Sequence, residues 1–466
     1  MNRFSFREHV PSILVAGLSA AFGVALLQTT AALTVSIDAD SVTGRSHTVA
    51  LLLFVLAFVF IAIAVYVGAV VTSNTFATII AGRTRTIALL RLIGSSAAAQ
   101  RRSVAREGLL VGVIGGVLGA VLGTVLAWAL VSIGEATGAL PKLAYQYATP
   151  VLLVPVVGVV LTTWLASWIG SRRVLTVSPM QAIGAAGELS RDETMARRGR
   201  NAAAIVLFAV GIALLVLGVI VGLITPFGVL IGLVGGIVSF SGLVLGAHLV
   251  MPVALRVVGR AFGRSAASRL AAENAVRNPE RSSRSTIGLV IGVTLVTMFA
   301  VAIGGYEQML NAAQAADPTR YQGIQTQLNT TVTVFSVLTG FSALIAAVGM
   351  VNNLSLSVLQ RTRELGLLRA LGFTGRQVRA MILAESAQLT TAAVVLGLLL
   401  GAFYGWAGAQ SLLGSIDGSS GLVVPVFPWL VIAIIVVAAI ILTIVASVAP
   451  SRRATLVAPV TALAVE

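Results

Sequence analysis

The sequence predicts an all-α polytopic membrane protein, with ten transmembrane helices arranged as two parallel four-helix repeats joined by a two-helix insert. Three observations carry this reading. The first is composition: of 466 residues 57% are hydrophobic and only 10% charged, against about 25% charged in a soluble domain. With a mean hydropathy of +0.99, a soluble enzyme is excluded. The second is a series of long uncharged windows. The third is an internal repeat.

A spanning helix needs about 20 apolar residues. Uncharged windows of that length or longer run over 11–37, 46–82, 109–134, 143–171, 201–255, 285–306, 321–360, 386–416 and 418–451. The first could be read as a signal peptide because Arg3 and Arg7 precede it. Its apolar stretch exceeds the length of a signal core, so a retained span is expected. The window 201–255 is too long for one helix and contains Thr225-Pro226-Phe227-Gly228, a turn signal that makes it a helical hairpin. The ten spans then centre near residues 23, 60, 121, 160, 213, 240, 295, 341, 397 and 439.

The loops orient the chain. With the N-terminus inside, the outer loops carry only Arg45, Lys142 and Arg320 among 31 basic residues. That asymmetry is the positive-inside signature, and it predicts a multi-pass protein of the plasma (inner) membrane with both termini cytoplasmic. It also explains the net charge of +15: the arginines anchor topology and meet anionic lipid, so no nucleic-acid partner is expected. No cysteine is present, which removes disulfides, thiolate metal sites and cysteine nucleophiles. His9, His47 and His248 lie far apart and form no ligand cluster, so no metal site is expected.

Shifting the sequence by 278 residues lays Arg83–Gly94 on Arg361–Gly372, Glu107 on Glu385, Gly119 on Gly397, Gly123 on Gly401 and Trp128 on Trp406. Ser171–Ile183 falls on Ser451–Leu463 with two further residues of shift. The repeat predicts a first unit over 1–185, a cytoplasmic linker over 186–200, a two-helix insert over 201–255, an amphipathic cytoplasmic segment over 256–284 and a second unit over 285–466. Gly115, Gly119 and Gly123 line one face of the third span, and Gly397, Gly401 and Gly405 one face of the ninth. This spacing allows close backbone approach, either as packing within each half or as a seam that slides to admit substrate.

The charged segments after the second and eighth spans carry the clearest functional signal. In the second repeat Leu365, Leu368 and Leu371 recur at i, i+3 and i+6, beside Arg361, Arg363 and Arg369. Glu364 favours the helix start and Gly366 lies within the helix. Gly372 can end it in the left-handed conformation. The first repeat spells the same helix with Arg83, Arg85, Thr86, Ile87, Ala88, Leu90, Arg91, Ile93 and Gly94. Such a helix is too short to be stable alone. It lies on headgroups or docks in a partner's groove, and the double spelling favours a pair of partner grooves.

At these residues the chain resembles the FtsX-like (MacB-type, type VII) ABC transporter permease family. The Arg-Glu-Leu-Gly-Leu-Leu-Arg-Ala-Leu-Gly run, Glu385 thirteen residues later and the glycine-rich span carry the resemblance, with the closing Arg-Arg…Val-x-Pro-x-x-Ala-Leu element. Leu270–Arg281 resembles the amphipathic segment that precedes such a domain's first span. The resemblance implies that 83–94 and 361–372 are coupling helices resting on a cytosolic ABC ATPase, in two copies. Thr86 and Ala88 depart from Glu364 and Gly366, which implies unequal halves. The outer loops after the first and seventh spans hold no room for the folded extracytoplasmic domain of many relatives.

No Gly-x-x-x-x-Gly-Lys-Ser/Thr run occurs, and Lys142 is the sole lysine, so ATP and Mg are expected on the partner chain and no cofactor on this one. No catalytic residue is expected, and substrate-binding residues cannot be read off. The function expected is a permease subunit that exports or extrudes an amphipathic substrate (drug, antimicrobial peptide or lipid). The alternatives are an ion-driven secondary transporter, which would place ionisable groups mid-span, and a non-transporting mechanotransmission or signalling subunit.

Overall fold

The computed structural model describes residues 6–38, 47–82, 87–90, 93–138, 140–171, 198–261, 273, 279–316, 372–415 and 421–456. Those residues are mostly helical, with turns and irregular links at 141–149 and 423–428 and no strand among them. The first half holds α1 (Phe6–Asp38), α2 (His47–Gly82), α3 (Ala97–Ala136) and, after a 3-10 turn at Pro150–Leu152, α4 (Leu153–Gly170). The hairpin α5 (Arg198–Gly222) and α6 (Gly228–Leu245) follows, then the short α7 (Ala247–Ala261). The second half shows α8 (Pro279–Ala316), α9 (Gly375–Leu413) and α10 (Trp429–Leu456).

Among the described residues seven helices are long and apolar enough to cross a membrane, and the stretches Phe58–Asn74 and Trp429–Ile441 are shorter apolar helices. The span expected near residue 341 and most of the linker 186–200 lie outside the described residues. Helix α5 starts at Arg198, inside the expected linker. The expected insert 201–255 is not two helices to its end: the chain breaks at Gly246, and α7 crosses the boundary at 255. Helix α7 buries Met251 and Leu255 and exposes Val253 and Val257, so it lies along the bundle by one face. His248 on α7 meets the Asn201 amide oxygen at the start of α5, at 2.8 Å.

Glycine decides the tightest packing. A Cβ on Gly119 would stand 2.6 Å from the Ala20 Cβ, and one on Gly123 2.9 Å from the Val24 Cβ. In the second half, Gly397 faces Val293 at 2.7 Å and Gly401 faces Thr297 at 2.5 Å by the same measure. The third helix of each unit thus lies parallel to the first, in one register. The insert closes on itself in the same way, with Gly218 of α5 against Gly232 of α6.

These registers also fix direction. Helix α6 runs antiparallel to α9, with Tyr404 bonded to Ser239 and Ser411 against Gly232. It runs alongside α2, where Tyr66 bonds Ser241. Helix α2 returns antiparallel along α1, with Gly68 against Ser19. The N-terminal ends of α3 and α9 therefore lie at the same end of the bundle. The two halves meet at Phe299 of α8, which stacks on Phe60 at 4.5 Å and lies 6.2 Å from Phe22.

Candidate functional site

The turn leading into α3 is built from four residues. Residues 87–90 are helical. Gly94 then takes φ +99°, where a side chain would clash, and stops the helix. The Ser95 N–H donates back to the Leu90 carbonyl at 2.9 Å, the long bond of a Schellman motif. Ser96 next caps α3, its hydroxyl accepting from the Ala99 N–H at 3.1 Å.

The turn into α9 repeats this plan. Gly372 takes φ +96°. Thr374 accepts from the Gln377 N–H at 3.3 Å, and the Gln377 carboxamide oxygen accepts from the Thr374 N–H at 2.9 Å, completing a capping box. Phe373 packs on buried Val378, Met381 and Ile382, anchoring the turn to its own helix.

The structure divides the first repeat's expected coupling residues. Ile87 and Ala88 are buried, Leu89 is 50% exposed and Ile93 80% exposed, and Gly94 is exposed. The open apolar face thus runs through Leu89 and Ile93, one turn apart. The stripe expected from spacing, Ile87–Leu90–Ile93, is split, because its first member turns into the chain's own body. By the 278-residue shift, Leu89 and Ile93 correspond to Leu367 and Leu371. Ala88 faces inward, so its difference from Gly366 bears on internal packing in this half. Arg83, Arg85, Thr86 and Arg91 lie outside the described residues, as do Arg361, Arg363, Glu364, Leu365, Gly366, Leu368, Arg369 and Leu371.

Two polar contacts tie the start of α3 to its neighbours. Glu107 Oε2 lies 3.2 Å from Nε2 of His9, which is buried on α1. The Arg101 guanidinium lies 3.8 Å over the Trp168 ring and donates to the Trp168 carbonyl at 3.3 Å, binding α3 to the end of α4. Glu385, the repeat mate of the half-buried Glu107, is fully buried. At the opposite end of the bundle Gln28 donates to the Tyr147 carbonyl at 2.7 Å. Burial there, reinforced by Glu135, pushes the Tyr145 and Tyr147 phenols up. No group of three or more metal-binding side chains occurs among the described residues.

Residues 58–179 and 336–458 each match the FtsX-like permease C-terminal domain, and together they make up more than half of the chain. The chain belongs to the FtsX-like permease family. The permease domain occurs in it twice, and both matches take in one of the glycine-terminated turns. Two relatives from Bacillus subtilis (strain 168) are ABC transporter permeases. One, the uncharacterized ABC transporter permease YknZ, is 31% identical over 134 residues, 29% of this chain and 32% of the relative. The ABC transporter permease YtrF is 27% identical over 129 residues, 26% of this chain and 30% of the relative. The chain thus spans about a third of the length of the curated relatives it matches. With its apolar helices, this FtsX-like permease is a multi-pass membrane protein.

Sequence reasoning missed two groups of residues. Leu89 was passed over because it falls between the i, i+3, i+6 positions. The residues around a cavity between the halves were missed because they come from helices far apart in the chain.

Proposed function

We propose that this chain is the membrane-spanning subunit of an ABC transporter, exporting an amphipathic substrate with ATP hydrolysed on two copies of a separate ATPase. Its fold in this reading is ten spans, in two four-helix units over 1–185 and 285–466 joined by the insert, with both termini cytoplasmic. The segments 83–94 and 361–372 rest in the ATPase grooves. ATP and Mg belong to that partner, and the surrounding lipid supplies the substrate.

One observation carries the reading: an apolar pair, Leu89 and Ile93, stands exposed on a short helix locked to α3 by Gly94 and Ser96. A rigid turn with a bare apolar face transmits a push along a helix some 40 residues long. An exposed isoleucine at the basic, water-facing end of a bundle calls for a partner rather than solvent. Nothing comparable to a mid-span acid pair supports ion coupling, since Glu107 sits eleven residues into α3 beside His9.

The experiment is association of the detergent-purified chain with its ATPase. Leu89→Asp and Ile93→Asp each bury an unpaired carboxylate in the groove and should weaken association by more than about tenfold, while the chain still inserts and folds. If both variants bind the ATPase and transport normally, the assignment is wrong.

A further inference from the structure

Helix α7 turns one face to the bundle and the opposite face away from it. Met251 and Leu255 join an apolar cluster with Ile287 and Val290 of α8 and Leu389 and Ala392 of α9. The outward face carries Val253, Arg256, Val257 and Arg260, all exposed. Their spacing of i, i+3, i+4 and i+7 makes one stripe. No acidic residue occurs in α7. The guanidinium groups of Arg256 and Arg260 make no hydrogen bond or ion pair among the described residues. Elsewhere the chain engages such groups itself: Arg101 lies on Trp168, and Arg379 donates to the Gly375 carbonyl at 3.2 Å.

Register sets the depth of this stripe. Gly232 and Ser239 of α6 face Ser411 and Tyr404 of α9 in one antiparallel register. Carried across the break at Gly246, that register sets Arg256 and Arg260 level with Ala387 and Leu383. The cluster that Leu255 shares with Leu389 agrees with it. The acid at this level of α9, Glu385, is buried and does not reach the outward face of α7. By the 278-residue repeat, Ala387 and Leu383 correspond to Leu109 and Ala105 of α3. There the exposed residues change from Leu109, Leu110 and Val113 to Arg106 and Arg102. Such a change marks the edge of the hydrocarbon. Val253 thus lies on the apolar side, and the two arginines lie at the edge, where long apolar stems carry charged heads to water. Leu383 stands about 14 Å along α9 from Thr374, so the stripe is at membrane depth rather than beside the turns.

The chemistry of the stripe selects its partner. Two arginines one turn apart, with about 6 Å between their Cβ atoms, can both reach one phosphate diester. Each guanidinium fork matches a pair of phosphate oxygens. A zwitterionic headgroup brings its own cation to the same place, so a net negative headgroup gains more. An acidic protein in the aqueous phase would not meet Val253 at this depth.

We propose that the Arg256–Arg260 edge of α7 binds the headgroup of an acidic phospholipid, with Val253 and Val257 against its acyl chains. The leaflet is the one bordering the turns at Gly94 and Gly372, the cytoplasmic leaflet of the proposed transporter. The site concerns lipid binding alone and stands apart from the ATPase reading.

The test uses the full chain in phosphatidylcholine nanodiscs with a trace of phosphatidylglycerol carrying a diazirine near its headgroup. A parallel sample carries the same group on phosphatidylcholine. The phosphatidylglycerol probe should label the α7 peptide containing Val253–Arg260 well above the phosphatidylcholine probe. Excess unmodified phosphatidylglycerol should compete, and inorganic phosphate should not; this arm needs no variant. An arginine near an acidic lipid surface is worth about fivefold in affinity. Arg256→Gln and Arg260→Gln should each cut the α7 label by about fivefold, and the pair by more than about tenfold. Label on the α3 peptide containing Arg106, from the phosphatidylcholine probe, reports ordinary leaflet contact and a folded chain and should not change. Equal labelling of α7 by both probes, label that survives the paired substitution, displacement by inorganic phosphate, or protection of α7 by added ATPase would overturn the inference.

Discussion

Helices α3 and α9 occupy the same place in the two permease repeats and yet live in different surroundings. Both begin at a left-handed glycine and a hydroxyl cap, and both run against a partner helix through glycines in one register. Beyond that seam they diverge. Helix α3 leaves Val117, Val121, Leu122, Val125 and Ile133 exposed. On α9 the mates of Val117 and Val121, Val395 and Leu399, are exposed as well, and the α5–α6 hairpin covers only the later turns, with Gly222 and Gly232 against Ser411 and Ser239 bonded to Tyr404. The repeat therefore fixes the turn and the seam, and the insert makes the halves unequal. Among the described residues the inequality lies at the ends of these helices remote from the turns at Gly94 and Gly372.

The seam should be where the halves behave alike, and the largest effects belong there. Gly119→Leu and Gly401→Leu force a side chain into the backbone of α1 and α8 respectively. Each should cost about 1–3 kcal/mol or more, seen as a lower thermal midpoint in detergent. A large loss in one half with none in the other would break the comparison.

The insert-covered surface should separate them. Ser411 is fully buried beneath the hairpin, and its repeat mate Ile133 is 60% exposed. Ser411→Leu should destabilise by about 1–3 kcal/mol through overpacking, whereas Ile133→Val should stay within about 0.5 kcal/mol. Comparable losses at both sites would mean that a second element covers α3.

A smaller effect sharpens the same contrast at a tryptophan present in both repeats. The Trp406 indole N–H donates to the Val423 carbonyl at 2.6 Å, strapping the segment after α9 with help from Gln410. Trp128 is 58% exposed. Trp406→Phe should cost about 1 kcal/mol, and Trp128→Phe nothing measurable, by the same melting experiment.

These pairs show what the residues made legible. Gly94 ends its helix as spacing implied and Gly372 takes the same left-handed conformation, because such a conformation is written in one residue. The hairpin turn at Thr225–Gly228 was readable because Pro226 and Gly228 together interrupt a helical run. The break at Gly246 was not, since hydropathy continues across it into α7. Spacing revealed an apolar stripe at 87–93 but could not say which side faced the chain's own body. That depends on Ile87 and Ala88 finding cover elsewhere in the fold. The cavity between the halves was illegible because α2, α5, α6, α8 and α9 enclose it together, and empty volume has no local sequence signature.

In the proposed transporter both turns, at Gly94 and Gly372, press on an ATPase. The chain has no cysteine, so a single cysteine carrying a benzophenone can be placed at position 93, 371 or 133 without background. Irradiated with the ATPase bound, positions 93 and 371 should each give an adduct of the chain with the ATPase, and position 133, at the far end of α3, none. An adduct from 133, or no adduct from either 93 or 371 while the ATPase stays bound, would contradict the claim.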